Sequence, residues 1–174
     1  EELMGALNTE SSTESALDAM FNDGTGFAGE GLDASGKKLG NKTAYYGSAT
    51  VKGQFDAMIT DFATNVVPNW NVVAVAGTAG VHSTANRTVR VNAKGMETNQ
   101  CFAKGLIGAL CVDQIANGYL SEAKIGDAVN NEDRTDGYTT MEHHWDEGYG
   151  YLYGLEEDEA LPALGAPGDV LLNK

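Results

Sequence analysis

The side chains best suited to chemistry lie in one short run, residues 141–147, which contains two of the three histidines in the chain and three carboxylates. These side chains are Glu142, His143, His144, Asp146 and Glu147. Imidazole and carboxylate groups are frequent metal ligands and general acids or bases. Side chains three or four residues apart are neighbours on a helix, so either histidine can meet Glu147. The run therefore predicts a metal-ion site.

One helix offers too few ligands to close a metal site, so further ligands must come from elsewhere. Glu97 and Gln100 lie at the start of a long apolar helical pattern, residues 96–120, where buried polar groups need partners. We expect these two side chains to complete the site; structural hydrogen bonding is the alternative role for each. Calcium in the 130–142 loop is a further hypothesis, because residues 131–142 approach an EF-hand pattern. Gly137 falls one place late in that pattern, which favours a solvated loop.

The run must be held by a helix, and its sequence contains a start signal for one. Thr139 is suited to be the N-cap, with Glu142 three residues later as the second half of a capping box. Helical spacing then places Met141, Trp145, Gly148 and Leu152 on one stripe, which we predict to be the core face. Glu142 and Asp146 lie on one flank of that stripe. Because like charges four residues apart repel, we expect a basic group or cation to compensate them.

The rest of the chain reads as helices joined by long loops. We predict two short helices in residues 1–22, the second capped by the Ser/Thr cluster at 11–13, and an amphipathic helix over 48–67 that Pro68 stops. Residues 22–43 are rich in glycine and predict an irregular loop. Residues 71–81 fit either a helix or a buried strand, and we favour a helix; residues 88–92 predict a short extended segment. We predict that the 96–120 helix is buried on nearly all sides.

Length and charge narrow the function. The 174 residues fit one domain, 1–174, or part of a larger one. A net charge of −14, from 25 acidic and 11 basic residues, disfavours nucleic acids and anionic lipids and attracts cations and basic partners. No stretch is apolar enough to span a membrane, and Cys101 and Cys111 are too far apart on one helix for a disulfide. The chain begins at Glu1 without an initiator Met, so we expect a processed or truncated start.

Several motifs resemble an uncharacterised bacterial domain family that is distantly related to the imelysins. They are KGLIGAL (104–110), DQI (113–115), YL (119–120) and MEHHWDEGYGY (141–151). The resemblance implies an all-α, imelysin-like helical bundle with long irregular loops and at most a short extended segment. It also implies a periplasmic, surface-attached or secreted protein associated with iron acquisition. The imelysin signature is Gly-x-His-x-x-Glu; His144 and Glu147 reproduce its second half, whereas Glu142 replaces the glycine.

Three functional hypotheses follow from these residues. The leading one is a non-enzymatic protein that binds a metal ion, iron by resemblance, or a metal-bearing ligand, and that cooperates with a surface or uptake protein. The second is a structural or surface-assembly module in which the same residues form a buried polar network. The third is a metal-dependent hydrolase. Neither a His-Glu-x-x-His nor a Gly-x-Ser-x-Gly motif is present, which disfavours an enzyme.

Overall fold

The computed structural model describes residues 2–25, 38–44, 49–129 and 131–153. This part of the chain is mostly helical and contains one small antiparallel sheet. The chain divides into two compact units, Glu1–Leu106 and Ile107–Lys174. The boundary between them falls within a long helix, and each unit is described separately below.

Unit 1 begins with two short helices, as the sequence predicted. Helix α1 spans Glu2–Ala6 and α2 spans Glu14–Asp18. The Thr13 side chain caps α2 by accepting a hydrogen bond from the Ala16 amide at 3.3 Å. A π-helical turn over Ala19–Asp23 extends α2 and ends at Gly24, whose φ of +70° suits glycine.

The predicted loop over residues 22–43 is wrong at its end, because α3 spans Leu39–Ala44. Packing explains the helix: a Cβ on Gly40 would lie 2.4 Å from Oδ1 of Asn22, and Thr43 is buried, with its hydroxyl donating to the Gly40 carbonyl at 2.8 Å. Tertiary contacts thus override the weak helix propensity of this segment. Residues 26–37 of the predicted loop lie outside the described residues.

Helix α4 confirms the amphipathic helix predicted over 48–67. It spans Ala49–Asp61, continues as a π-helical turn over Phe62–Val66, and ends in a 3-10 turn, Val67–Asn69, that contains Pro68. Its buried side chains face α2 and the first half of α5, which spans Thr98–Asp113. The core of unit 1 is built on Phe21, Phe55 and Phe102, whose ring centroids lie 5.1–5.9 Å apart.

Residues 71–81 form isolated bridges, a turn at residues 76–77 and the start of a strand, so the predicted helix is wrong. Strands β1, Gly80–Ser83, and β2, Thr88–Val91, pair antiparallel with Gly80 opposite Val91. Residues 72–74 run along the other edge of β1, where the Val81 amide donates to the Val72 carbonyl at 2.7 Å. A Cβ on Gly80 would lie 2.1 Å from that carbonyl oxygen, so this approach requires glycine. The extended segment predicted over 88–92 is confirmed.

Unit 2 contains the second half of α5 and two further helices. A π-helical turn, Gln114–Tyr119, extends α5; α6 spans Glu122–Ile125 and α7 spans Thr140–Tyr153. The predicted burial of the 96–120 helix on nearly all sides is wrong, because Ile107 and Val112 are exposed. Much of a folded protein's surface is apolar, so an apolar helix need not be enclosed. Both cysteines are free thiols, as predicted, and burial raises the pKa of Cys111.

Within the described residues, no helix is long and apolar enough to cross a membrane. This agrees with the absence of a long apolar stretch from the sequence.

Candidate functional site

The start of α7 confirms the predicted capping box. The Thr139 hydroxyl accepts a hydrogen bond from the Glu142 amide at 3.1 Å, and the Thr139 amide donates to Oε2 of Glu142 at 2.8 Å. The other carboxylate oxygen of Glu142 accepts from Arg134 at 2.5 Å. The Thr139 amide, and then Arg134, hold the pKa of Glu142 below its usual value. Glu142 therefore starts the helix, and Arg134 is the predicted basic group beside the acidic flank.

The buried face of α7 differs from the predicted stripe. Gly148 is buried, but Trp145 is 54% exposed and Leu152 is 37% exposed, so they do not form a core face. The face that packs contains His144, Gly148 and Tyr151, at intervals of four and three residues. A Cβ on Gly148 would lie 3.4 Å from side-chain atoms of Tyr119 and Leu120. Such a distance is ordinary van der Waals contact, so the buried residue Gly148 lies where α7 packs against the end of α5.

Aromatic rings on both sides of Gly148 stabilise this contact. Tyr151 stacks on Tyr119 with ring centroids 5.6 Å apart, and the His144 ring lies 6.5 Å from Tyr119. Burial, and then the charge of Glu147 and the neighbouring Tyr151, raise the pKa of Tyr119 to about 12. Tyr119 is therefore protonated at neutral pH, and its hydroxyl hydrogen-bonds with Glu147 and Tyr151.

Both ring nitrogens of His144 contact Lys124. Nδ1 lies 2.8 Å from the Lys124 carbonyl oxygen; because a carbonyl only accepts, Nδ1 must carry a hydrogen and donate. In the neutral ring Nε2 is then an acceptor, and it lies 3.3 Å from the Lys124 amine. Metal-binding histidines commonly have this orientation, with one nitrogen donating to a carbonyl and the other on the ion. Here the Lys124 amine lies where such an ion would lie.

His143 lies on the exposed side of the cluster. Its Nε2 is 3.6 Å from Oε2 of Glu147, and the two side chains are 48% and 37% exposed. The His143 ring stacks on Tyr138 at a centroid distance of 5.2 Å and an interplanar angle of 17°. Glu147 therefore lies between exposed His143 and the hydroxyl of Tyr119. Asp146 is exposed on the opposite flank of α7, beside Glu142.

The two candidate ligands outside α7 belong to unit 1. Glu97 forms an ion pair with Arg87, whose Nη2 lies 2.6 Å from both carboxylate oxygens. The backbone amide of Gln100 donates to the Asn99 side chain at 2.8 Å. The Arg87 pairing is consistent with the structural role that the sequence left as the alternative for Glu97, and the metal role of Glu97 and Gln100 stays a prediction.

The 131–142 loop holds its own polar groups in local hydrogen bonds. Oδ1 of Asp133 accepts from the amide and the hydroxyl of Thr135, which lowers the pKa of Asp133. Glu142, at the twelfth position, is engaged by Thr139 and Arg134. Across the described residues, no three His, Cys, Asp or Glu side chains are grouped so as to hold a metal ion.

Sequence reasoning missed Tyr119, Lys124 and Arg134 as parts of this cluster, whereas helical spacing places Tyr151 on the flank of His144 and Glu147. Tyr119 and Lys124 precede His144 by 25 and 20 residues, beyond any helical spacing rule. One feature of the sequence indicated the contact between Tyr119 and Tyr151: the small residue Gly148 lies between His144 and Tyr151 on α7. Arg134 was indicated as well, since the Glu142/Asp146 pair required a nearby cation.

These features define a mostly helical domain with a histidine and carboxylate cluster on its last described helix. Residues 1–172 match the domain of unknown function DUF4856, and the chain belongs to that family. This confirms the predicted membership of an uncharacterised domain family, while the match itself contains no link to the imelysins. No curated protein sequence and no solved structure matches the chain.

Proposed function

We propose that this domain binds a metal ion or a metal-bearing ligand through α7, without catalysing a reaction. The observation that carries the proposal is the His143 and Glu147 pair, with Nε2 and Oε2 3.6 Å apart on an exposed helical turn. Nitrogen and oxygen ligands lie about 2.0–2.2 Å from an ion such as zinc, so small side-chain rotations would let both contact one ion. The net charge of −14 would raise the local cation concentration.

The small number of protein ligands favours a metal ion that is already bound by a chelating molecule, which supplies further donor atoms. Two side chains leave most coordination positions of a metal ion open to water or to a chelating molecule. The imelysin-like His144-x-x-Glu147 spacing supports iron as the cargo and a role in uptake outside the cytoplasm, with a surface or uptake protein as partner. In that arrangement His144 replaces His143 as the nitrogen ligand, and the ion displaces the Lys124 amine.

A second candidate is the structural or surface-assembly module. Its support is that polar groups of the cluster already have partners within the fold: His144 with Lys124, Glu147 with Tyr119, and the more exposed Glu142 with Arg134. Satisfied polar networks of this kind specify one arrangement of helices. The cluster would then fix α7 against α6 and the end of α5.

Calorimetric titration with ferrous iron and with zinc tests both candidates. In the metal-binding proposal, Glu147→Gln should weaken binding by at least the roughly 10–100-fold that loss of an outer-shell partner costs. Glutamine keeps an acceptor for Tyr119, so the fold should survive. His143→Ala should weaken binding if the exposed pair holds the ion, and His144→Ala if the imelysin-like pair does.

Lys124→Met separates these two arrangements. Removing the amine frees Nε2 of His144, so metal affinity should rise if His144 is the ligand and should not change if His143 is. His82→Ala is the matched control, because His82 is exposed in unit 1. A parent protein that binds neither ion, combined with a clear loss of thermal stability in His144→Ala, would overturn metal binding and leave the structural module.

A further inference from the structure

The apolar stripe of α7 that the fold leaves exposed forms one wall of a groove. The groove has a volume of about 250 Å³ and is lined by Ile125, Met141, Glu142, Trp145 and Asp146. We call it the acidic groove. Glu142 is paired with Arg134, so Asp146 is the carboxylate of the groove without a cation within salt-bridge distance among the described residues. Aromatic residues are enriched in protein interfaces, and exposed apolar surface with a polar rim often marks an interaction site.

Unit 1 contains a surface of opposite character. Residues 62–96 include no aspartate or glutamate, but they include Arg87, Arg90 and Lys94. Next to β1 lies a cavity of about 420 Å³, which we call the basic hollow. The side chains that matter here are Val75, His82 and Lys94, with Ala74 and Ala76 beside them. Val73 and Val75 are 71% and 63% exposed, so this surface is also apolar.

The positive charge of the basic hollow is available to a partner. Arg87 is neutralised by Glu97, and Arg90 lies over the Trp70 ring at 4.6 Å while donating to the Trp70 carbonyl. Lys94 is exposed, and within the described residues no carboxylate forms a salt bridge with it. The hollow thus combines the exposed side chain of Val75 with the ammonium group of Lys94.

We propose that the acidic groove of one copy of this chain docks on the basic hollow of a second copy, with Trp145 as the inserted side chain. Two copies that each carry a net charge of −14 repel over most of their surfaces, so association is expected where acidic residues are absent, and residues 62–96 form the longest acid-free stretch of the sequence. The indole would lie among Val75 and Ala76, within cation–π reach of Lys94, and Asp146 would face the same ammonium group. Buried tryptophans are frequent hot spots of interfaces.

Such a contact joins two different surfaces and is therefore heterologous. A docked pair still presents one free groove, on one copy, and one free hollow, on the other, so assembly continues into open chains unless it closes as a ring. This distinguishes the proposal from a symmetric dimer, which buries the same surface on both copies.

Analytical ultracentrifugation of the purified chain over a concentration series tests this inference. The parent should form dimers and larger species as concentration rises. Trp145→Glu, which alters the groove, and Lys94→Glu, which alters the hollow, should each raise the dissociation constant by about 30-fold or more, the effect of losing a hot spot. Val112→Glu changes an exposed valine outside both surfaces and should associate like the parent.

Mixing the two variants is the decisive measurement. Lys94→Glu keeps an intact groove and Trp145→Glu keeps an intact hollow, so an equimolar mixture should form a dimer that does not grow further. A parent that stays monomeric at all concentrations overturns the proposal. So does a mixture that remains monomeric, or association that both variants leave unchanged. Circular dichroism on each variant must match the parent, so that unfolding is not mistaken for loss of assembly.

Discussion

The aromatic core of unit 1 and the α7 contact of unit 2 show two ways of holding helices together. In unit 1, Phe21, Phe55 and Phe102 are buried and pack against each other in tilted and edge-to-face pairs. In unit 2, α7 packs at Gly148 against Tyr119 and Leu120, and hydrogen bonds of His144 and Glu147 stabilise this contact. Apolar packing has no dependence on protonation, whereas a polar network changes with pH and with any competing cation. The second region is therefore the one whose stability we expect to respond to pH and to added cations.

We expect the largest change in the free energy of unfolding from a substitution in the aromatic core of unit 1. Phe102→Ala should lower the free energy of unfolding of the region around the aromatic core by about 3–5 kcal/mol, because it leaves a cavity between two other phenylalanines. Urea unfolding followed by circular dichroism measures the loss. Val112→Ala, in the exposed part of the same helix, should stay within about 0.5 kcal/mol of the parent. Equal losses for both variants would mean that the aromatic core does not dominate.

A smaller effect is expected at the start of α7. Thr139→Ala removes the hydroxyl that accepts from the Glu142 amide and should cost about 1 kcal/mol. Amide hydrogen exchange along residues 140–147 should rise in this variant more than in the core of unit 1. The matched control is Thr140→Ala, which changes the exposed neighbouring threonine. If both variants exchange alike, the capping box does not stabilise the helix.

We expect Tyr119→Phe to have the smallest effect on stability at neutral pH. Its effect on the melting temperature should appear only at alkaline pH. The pKa of Tyr119 in the folded state, about 12, lies above its ordinary value of 10.0, so the folded state keeps this proton when the unfolded state has lost it. The corresponding stability is present below pH 10 and is lost as pH rises through about 12. The melting temperature of the parent should therefore fall more steeply over this range than that of Tyr119→Phe.

Exposed Tyr138 provides the control for that titration, since Tyr138→Phe should fall as steeply as the parent. Parallel curves for the parent and Tyr119→Phe would show that Tyr119 titrates as an ordinary surface tyrosine. The Glu147 contact would then play no part in holding α7.

Local rules predicted the parts of the fold that depend on neighbouring residues. The Thr13 cap, the 48–67 helix with Pro68 at its end, and the Thr139 and Glu142 capping box were all confirmed. The helix predicted over residues 71–81 was wrong because their small and β-branched residues fit helix and strand equally. The close approach of Gly80 to the Val72 carbonyl favours the observed conformation. That contact joins two segments, so no local pattern contains it.

In the candidate site, too, local spacing predicted contacts within one helix but not contacts between helices. Helical spacing predicted that His143 and Glu147 would be neighbours, and the structure places Nε2 and Oε2 3.6 Å apart. Lys124, which contacts both ring nitrogens of His144, could not be predicted because it lies on another helix. The metal role of Asp146, like that of the other α7 side chains, stays a prediction that the titrations address.

The sequence by itself determined where α7 begins and which of its side chains share a turn, because capping and helical spacing act within a few residues. Only the tertiary structure decided which face of α7 is buried. The predicted core stripe was Met141, Trp145, Gly148 and Leu152, and of these Gly148 is buried, but His144 and Tyr151 rather than Trp145 and Leu152 accompany it against Tyr119. Close packing and hydrogen bonds between distant residues outweighed apolar area, and this left Trp145 on the surface.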